Sequence, residues 1–131
     1  MRTLTRGRAA IGGVVAMLGL CGALGTAPAG AESAPSPPAA FAICAACHST
    51  KPGETRYGPS LAHIAGRKAG SLPGYNYSAA LGKSGLTWTF ATLDEWLTSP
   101  QKKVPGTKMP FAGISDEARR RKLVAYLMTL K

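Results

Sequence analysis

Two cysteines and a histidine stand within five residues, Cys44-Ala45-Ala46-Cys47-His48, and this cluster limits the possible folds more than any other feature of the chain. On a helical turn, positions i, i+3 and i+4 share a face, so Cys44, Cys47 and His48 point the same way. Two thiols on one face suit thioether bonds to the two vinyl groups along one haem edge. The residue that follows then lies below the iron. The pattern is the attachment signature of c-type haem, with His48 as the proximal imidazole. A chain built on it needs a pocket, a group opposite the histidine and a suitable compartment.

The start of the chain addresses the compartment. Arg2, Arg6 and Arg8 precede an apolar run from Ala9 to Leu24 that carries no charge, and Ala29-Gly30-Ala31 follows. That three-part order is a secretory signal peptide spanning residues 1–31, with cleavage expected after Ala31. A retained membrane anchor is the competing reading, but the apolar run is shorter than the roughly 20 residues a spanning helix requires. Acylation at Cys21 would require a small residue before it, where Leu20 stands. Export implies the periplasm, and Cys21 leaves with the signal. The mature chain then keeps only Cys44 and Cys47, both consumed if they form thioethers, so no free thiol meets an oxidising environment. A Cys44–Cys47 disulfide of the thioredoxin kind belongs with strand–helix alternation, which this sequence lacks.

Cleavage also removes three of the 16 basic residues, so 13 face six acidic ones, a formal net charge of +7. A basic surface suits nucleic acid, an anionic membrane or an acidic protein. For an exported chain, an acidic redox protein is the expected partner, with no nucleic acid and with membrane contact only if the N-terminal segment is retained. The mature chain of about 100 residues, rich in Gly and Pro, buries a limited core. A cofactor that binds only the native state would stabilise it.

Residues 32–38 are rich in Ala, Pro and Ser and read as a short flexible linker. A helix is expected from near Pro38 through Phe41 and Ile43 into the cysteine motif. From Ser49 to Tyr77 the chain is loop-like, a length that makes sense where a loop wraps a cofactor. Ser78 to Ser84 forms a short helix closed by Gly85. Thr92-Leu93-Asp94-Glu95 matches a capping box with Thr92 as N-cap, opening a helix through Leu97 that Pro100 stops. A second loop is expected from Gln101 to Ile114. Ser115 is then expected to cap a last helix whose Leu123, Leu127 and Leu130 form one buried face, with Arg119 to Lys122 facing solvent. The architecture is all-α.

Three side chains of the mature protein could stand opposite His48, namely His63, Met109 and Met128. Met128 lies in the last helix and suits packing. Met109 lies in Pro105-Gly106-Thr107-Lys108-Met109-Pro110-Phe111, a stiff loop that can hold a thioether in place at little entropic cost.

From Phe41 to Leu130 the chain resembles a class I cytochrome c, similar to the small soluble bacterial relatives of mitochondrial cytochrome c. The motifs that carry the likeness run in order through Cys44-x-x-Cys47-His48, Gly58-Pro59-x-Leu61, Gly66-Arg67, Tyr75-Asn76-Tyr77-Ser78 and Leu86-Thr87-Trp88. They continue through Pro105-Gly106-Thr107-Lys108-Met109, Phe111-Ala112-Gly113 and Leu123-Val124-Ala125-Tyr126-Leu127. The resemblance implies a cytochrome c domain over residues 39–131, a few short helices and long loops around one covalently bound haem c. It implies Met109 as the distal ligand and the Pro59 carbonyl as acceptor for the free ring N–H of His48. Arg67, Tyr77 and Trp88 would hydrogen-bond or neutralise the propionates, and Thr107 would support the same end of the haem. Leu61, Leu97 and Leu127 would line the pocket, with Phe111 beside the exposed edge. Several positions depart from the pattern: Trp96 replaces a tyrosine that hydrogen-bonds the methionine sulfur, Leu81 replaces an asparagine, His63 replaces a glycine in the loop after Gly58-Pro59, and a family glycine near Pro37 is absent.

The function expected from this reading is that of a monomeric one-electron carrier rather than an enzyme, serving a quinol-oxidising complex, terminal oxidase, reaction centre or periplasmic dehydrogenase. Lys102, Lys103 and Lys108, clustered near Met109, are expected to steer an acidic partner. A dedicated or membrane-anchored subunit of one redox enzyme is the alternative within electron transfer. A haem enzyme or ligand sensor would need a weak or absent sixth ligand. A zinc module on Cys44, Cys47, His48 and His63 has the right count, but adjacent Cys47 and His48 suit a tetrahedral site poorly.

Overall fold

The computed structural model describes residues 35–131. The signal peptide assigned to residues 1–31 and the first linker positions lie outside the described residues. Pro35 to Pro37 are exposed and irregular. A 3-10 turn over Ala39–Phe41 then leads directly into α1 (Ala42–Ala45). Four more short helices follow: α2 (Ala79–Gly82), α3 (Phe90–Thr98), α4 (Pro100–Lys103) and α5 (Glu117–Leu127). Among the described residues the only strand-like feature is one antiparallel bridge between Lys68 and Thr87. The chain is all-α, and among the described residues no helix is long and apolar enough to cross a membrane.

Local chemistry explains where the helices start. Ser78 caps α2 by accepting from the backbone N–H of Leu81, and Gly85 reverses the chain after it at φ +68°. The capping box of α3 lies one turn earlier than expected. Thr89 is the N-cap, and Thr92 occupies the third helical position, its Oγ1 accepting from the Thr89 N–H at 2.8 Å. A threonine can close the box from that side as well as open it, so the spacing alone did not distinguish the two. Glu95 is thereby released from any capping role and pairs with Lys103 of α4.

Two further expectations are corrected. Ser99 takes an extended conformation and Pro100 opens α4, so residues 101–103 are helical and the loop begins after Lys103. The missing N–H of proline costs nothing at a first helical position. At α5 the cap is Asp116, not Ser115; its carboxylate accepts from the Arg119 N–H at 2.7 Å, a charge-assisted bond in the favourable field of the helix start.

The core forms where α3 meets α5. Leu93, Trp96 and Leu97 pack with Leu123, Val124 and Leu127, all buried. Leu130 lies beyond the helix and is only partly buried. Phe41 sets its ring edge-on to Tyr126 at 5.0 Å, which fastens the cysteine-bearing turn to α5. The Arg119–Lys122 run is not uniformly solvent-facing, because Arg120 is buried. Its Nε and one terminal nitrogen donate to the two Asp94 carboxylate oxygens, at 2.9 and 3.4 Å, while the other donates to the Ile114 carbonyl at 2.9 Å. One guanidinium thus ties α5, α3 and the chain that follows Phe111.

The long loop from residue 49 to 77 is held by specific contacts rather than by regular structure. Residues 66–69 run beside 86–88, with Gly66 donating to Trp88, Trp88 to Arg67 and Ala69 to Leu86. Gly70, at φ +72°, lets this loop lie on α2; a Cβ there would sit 2.8 Å from the Gly82 Cα.

Candidate functional site

Cys44 lies in α1, and the backbone N–H groups of both Cys47 and His48 return to its carbonyl at 3.0 and 2.8 Å. The turn therefore continues through the motif and presents the three side chains together. Cys44 is partly buried, Cys47 is exposed, and the two are not joined to each other. Burial pushes the Cys44 thiol above its usual pKa, with the neighbouring Cys47 adding to the effect.

His48 is held from two sides. Its Nδ1 lies 2.7 Å from the Pro59 carbonyl. A carbonyl only accepts, so Nδ1 carries the proton and donates. Burial also holds the imidazole pKa below its ordinary value, more strongly than the carbonyl raises it. The ring is then neutral near pH 7, with the Nε2 lone pair available to a metal. Gly58 provides the second side. A Cβ there would fall 2.4, 2.6 and 2.8 Å from the Cε1, Nδ1 and Nε2 of the ring, so only glycine lets the backbone lie flat against it. Gly58 is kept there by donating to the Cys47 carbonyl at 2.8 Å.

Arg67, Trp88 and Tyr77 meet on one wall. The pairing of residues 66–69 with 86–88 brings the first two together, and burial raises the Tyr77 phenol pKa while the nearby Arg67 charge lowers it. The two terminal nitrogens of Arg67 donate to the carbonyls of Ala62 and Ser60, each at 2.9 Å. Its Nε is buried and has no protein acceptor, an arrangement with room for an acceptor from outside the protein, such as a carboxylate. Trp88 is buried with its ring tilted onto Trp96 at a centroid distance of 5.3 Å.

A further group of residues comes from the loop after α4. Val104 and Thr107 are buried, and Met109 is half-buried against the core. Lys108 reaches from this loop to the Asn76 carbonyl at 3.2 Å. His63 is exposed, at the left-handed φ of +52°, and Met128 is the C-cap of α5, packed against the core. Leu61, Leu97 and Leu127 are buried as part of the same core.

Paired thiols, a neutral imidazole with a free Nε2, a glycine-lined cradle and an arginine with an unmatched N–H form a donor set that fits a covalently bound haem. Sequence reasoning named the residues of the motifs but passed over the contact between Gly58 and the imidazole. The Gly-Pro step at 58–59 was the available signal, since it brings a backbone close while removing an N–H. It also missed Gln101, whose amide bonds the methionine loop and which no local pattern marks.

Comparison with known proteins agrees with this frame. The family model described as cytochrome c matches residues 38–131. Cytochrome c2 of Rhodoblastus acidophilus is 53% identical over 92 residues, covering 70% of this chain and 86% of the relative. Cytochrome c2 iso-2 of Magnetospirillum fulvum is 47% identical over 93 residues, covering 71% and 97%. Among solved structures, cytochrome cH from Methylobacterium extorquens aligns with a TM-score of 0.65 at 52% identity, covering 69% of this chain and 91% of that one. The class defined by fold and donor set is a small haem protein of electron transfer, not an enzyme. The chain belongs to the cytochrome c family, as a monohaem electron carrier whose cofactor is covalently attached haem c.

Proposed function

We propose that the protein is a periplasmic one-electron carrier in which Cys44 and Cys47 form the thioethers and His48 and Met109 ligate the iron. Haem c supplies the one-electron change. His48 contributes Nε2, kept neutral by burial and oriented by the Pro59 carbonyl. Met109 contributes a thioether from a loop pinned by buried Val104 and Thr107; such a ligand favours the reduced state. If His48 and Met109 both hold the iron, they would leave no open position for a substrate. Arg67, Tyr77, Trp88 and Thr107 would meet the propionates, and the unmatched Arg67 Nε supports that role.

The observation that carries this reading is the His48 imidazole, anchored through Nδ1 at 2.7 Å to the Pro59 carbonyl on the same turn as Cys44 and Cys47. Its test is spectroscopic. Ferric wild-type holoprotein should show a sulfur-to-iron charge-transfer absorption that Met109→Ala abolishes. Tight carbon monoxide binding by the wild type at neutral pH would overturn it. Export rests on the residues before Glu32, and sequencing the N-terminus of the exported protein checks it.

An acidic redox protein is the proposed partner. Of the three lysines, Lys103 pairs with Glu95 and Lys108 donates to Asn76, while Lys102 is exposed and makes no ion pair among the described residues. Replacing all three with glutamate should slow electron transfer at low ionic strength, and an unchanged rate would remove them from the docking surface.

A further inference from the structure

The loop bearing Met109 is short of backbone hydrogen bonds. Among the described residues, neither Lys108 nor Met109 donates its N–H to a backbone carbonyl. Thr107 donates to Val104 at 3.1 Å and Phe111 to Met109 at 2.9 Å, which fixes the two flanks but not the residues between them. One side chain spans that gap. The Gln101 amide Nε2 donates to the Thr107 carbonyl at 2.9 Å and to the Met109 carbonyl at 3.3 Å.

An amide nitrogen carries two N–H groups, so Gln101 can serve both carbonyls at once and hold Thr107 and Met109 at a set separation. Its own backbone is firmly placed. Gln101 stands in α4 between Pro100 and Val104, both buried in the core. The clamp therefore refers the methionine loop to α4 rather than to another loop.

We infer that Gln101 is a positioning residue for the distal ligand: its amide restrains the backbone on both sides of Lys108 and so opposes withdrawal of the Met109 thioether from the iron. The inference rests on the proposed Met109 ligation. It assigns Gln101 no contact with haem; the residue acts through Met109.

The test uses ferric holoprotein with imidazole as the competing ligand, followed through the sulfur-to-iron absorption. Gln101→Glu keeps the size and shape of the side chain but turns the donor into an acceptor, so it reads hydrogen bonding rather than packing. Gln101→Leu removes both functions. Each variant should bind imidazole about tenfold more tightly than wild type, equivalent to ~1.4 kcal/mol, the scale of two neutral hydrogen bonds on a partly exposed loop. Wild-type imidazole affinity in both variants, with the charge-transfer band intact, would overturn the clamp alone. Absence of the band from the wild type would overturn Met109 ligation and the clamp with it.

Discussion

Gly58→Ala is the smallest change that tests how the imidazole is held. A single methyl group at this position would stand 2.4 Å from His48 Cε1 and within 2.8 Å of both ring nitrogens. To regain ordinary van der Waals separation the ring must retreat by about 1 Å. His48 cannot retreat freely, because it is the last residue of a turn bonded to the Cys44 carbonyl and fastened through Nδ1 to Pro59. A 1 Å displacement stretches the 2.7 Å bond to Pro59 beyond useful length. Overpacking costs about 1–3 kcal/mol, and the lost hydrogen bond adds about 1 kcal/mol. The sum of about 2–4 kcal/mol lowers Tm by at least roughly 8 °C in a domain of this size. Thermal unfolding of the holoprotein measures it. Gly82→Ala is the matched control, since a Cβ there meets nothing within 4 Å and alanine is favoured over glycine inside a helix by about 0.5–1 kcal/mol. A Gly58→Ala protein as stable as wild type would refute the proposed contact between backbone and ring.

Tyr77 governs an alkaline limb of stability. Burial raises its phenol pKa above the ordinary value of 10.0, so above that pH the folded state binds more protons than the unfolded chain. The Tyr77 contribution is therefore complete below pH 10 and is lost as pH rises through the higher folded value; denaturant midpoints measured across this range should fall less steeply in Tyr77→Phe than in wild type. Arg67→Met strands the carbonyls of Ser60 and Ala62 and should destabilise the holoprotein by about 2 kcal/mol or more. Equal urea midpoints for Arg67→Met and wild type would show that water replaces the guanidinium.

The proposed attachment motif was legible in the sequence alone, because its chemistry depends on spacing within one helical turn. Cys44, Cys47 and His48 could be placed on one face before any tertiary contact was known. The same holds for the all-α class and for the turn punctuation around α2, where Ser78 and Gly85 act on their immediate neighbours. Local signals became ambiguous where two residues could perform one task. Thr89 and Thr92 both suit a cap, as do Ser115 and Asp116, and the structure uses Thr89 and Asp116.

Tertiary structure decided the rest of the site. Arg120 reads as one charge in a basic run, yet it is buried because Asp94, 26 residues earlier, lies across from it. Lys103 and Lys108 read as free docking charges, yet both have partners within the protein. Cys44, Cys47 and His48 are the proposed point of haem attachment. Burial holds the imidazole pKa low, and what aims the ring is a glycine and a carbonyl ten and 11 residues further on. Hydrogen bonds and close packing between distant segments depend on how the loops fold back, and no local pattern encodes that path.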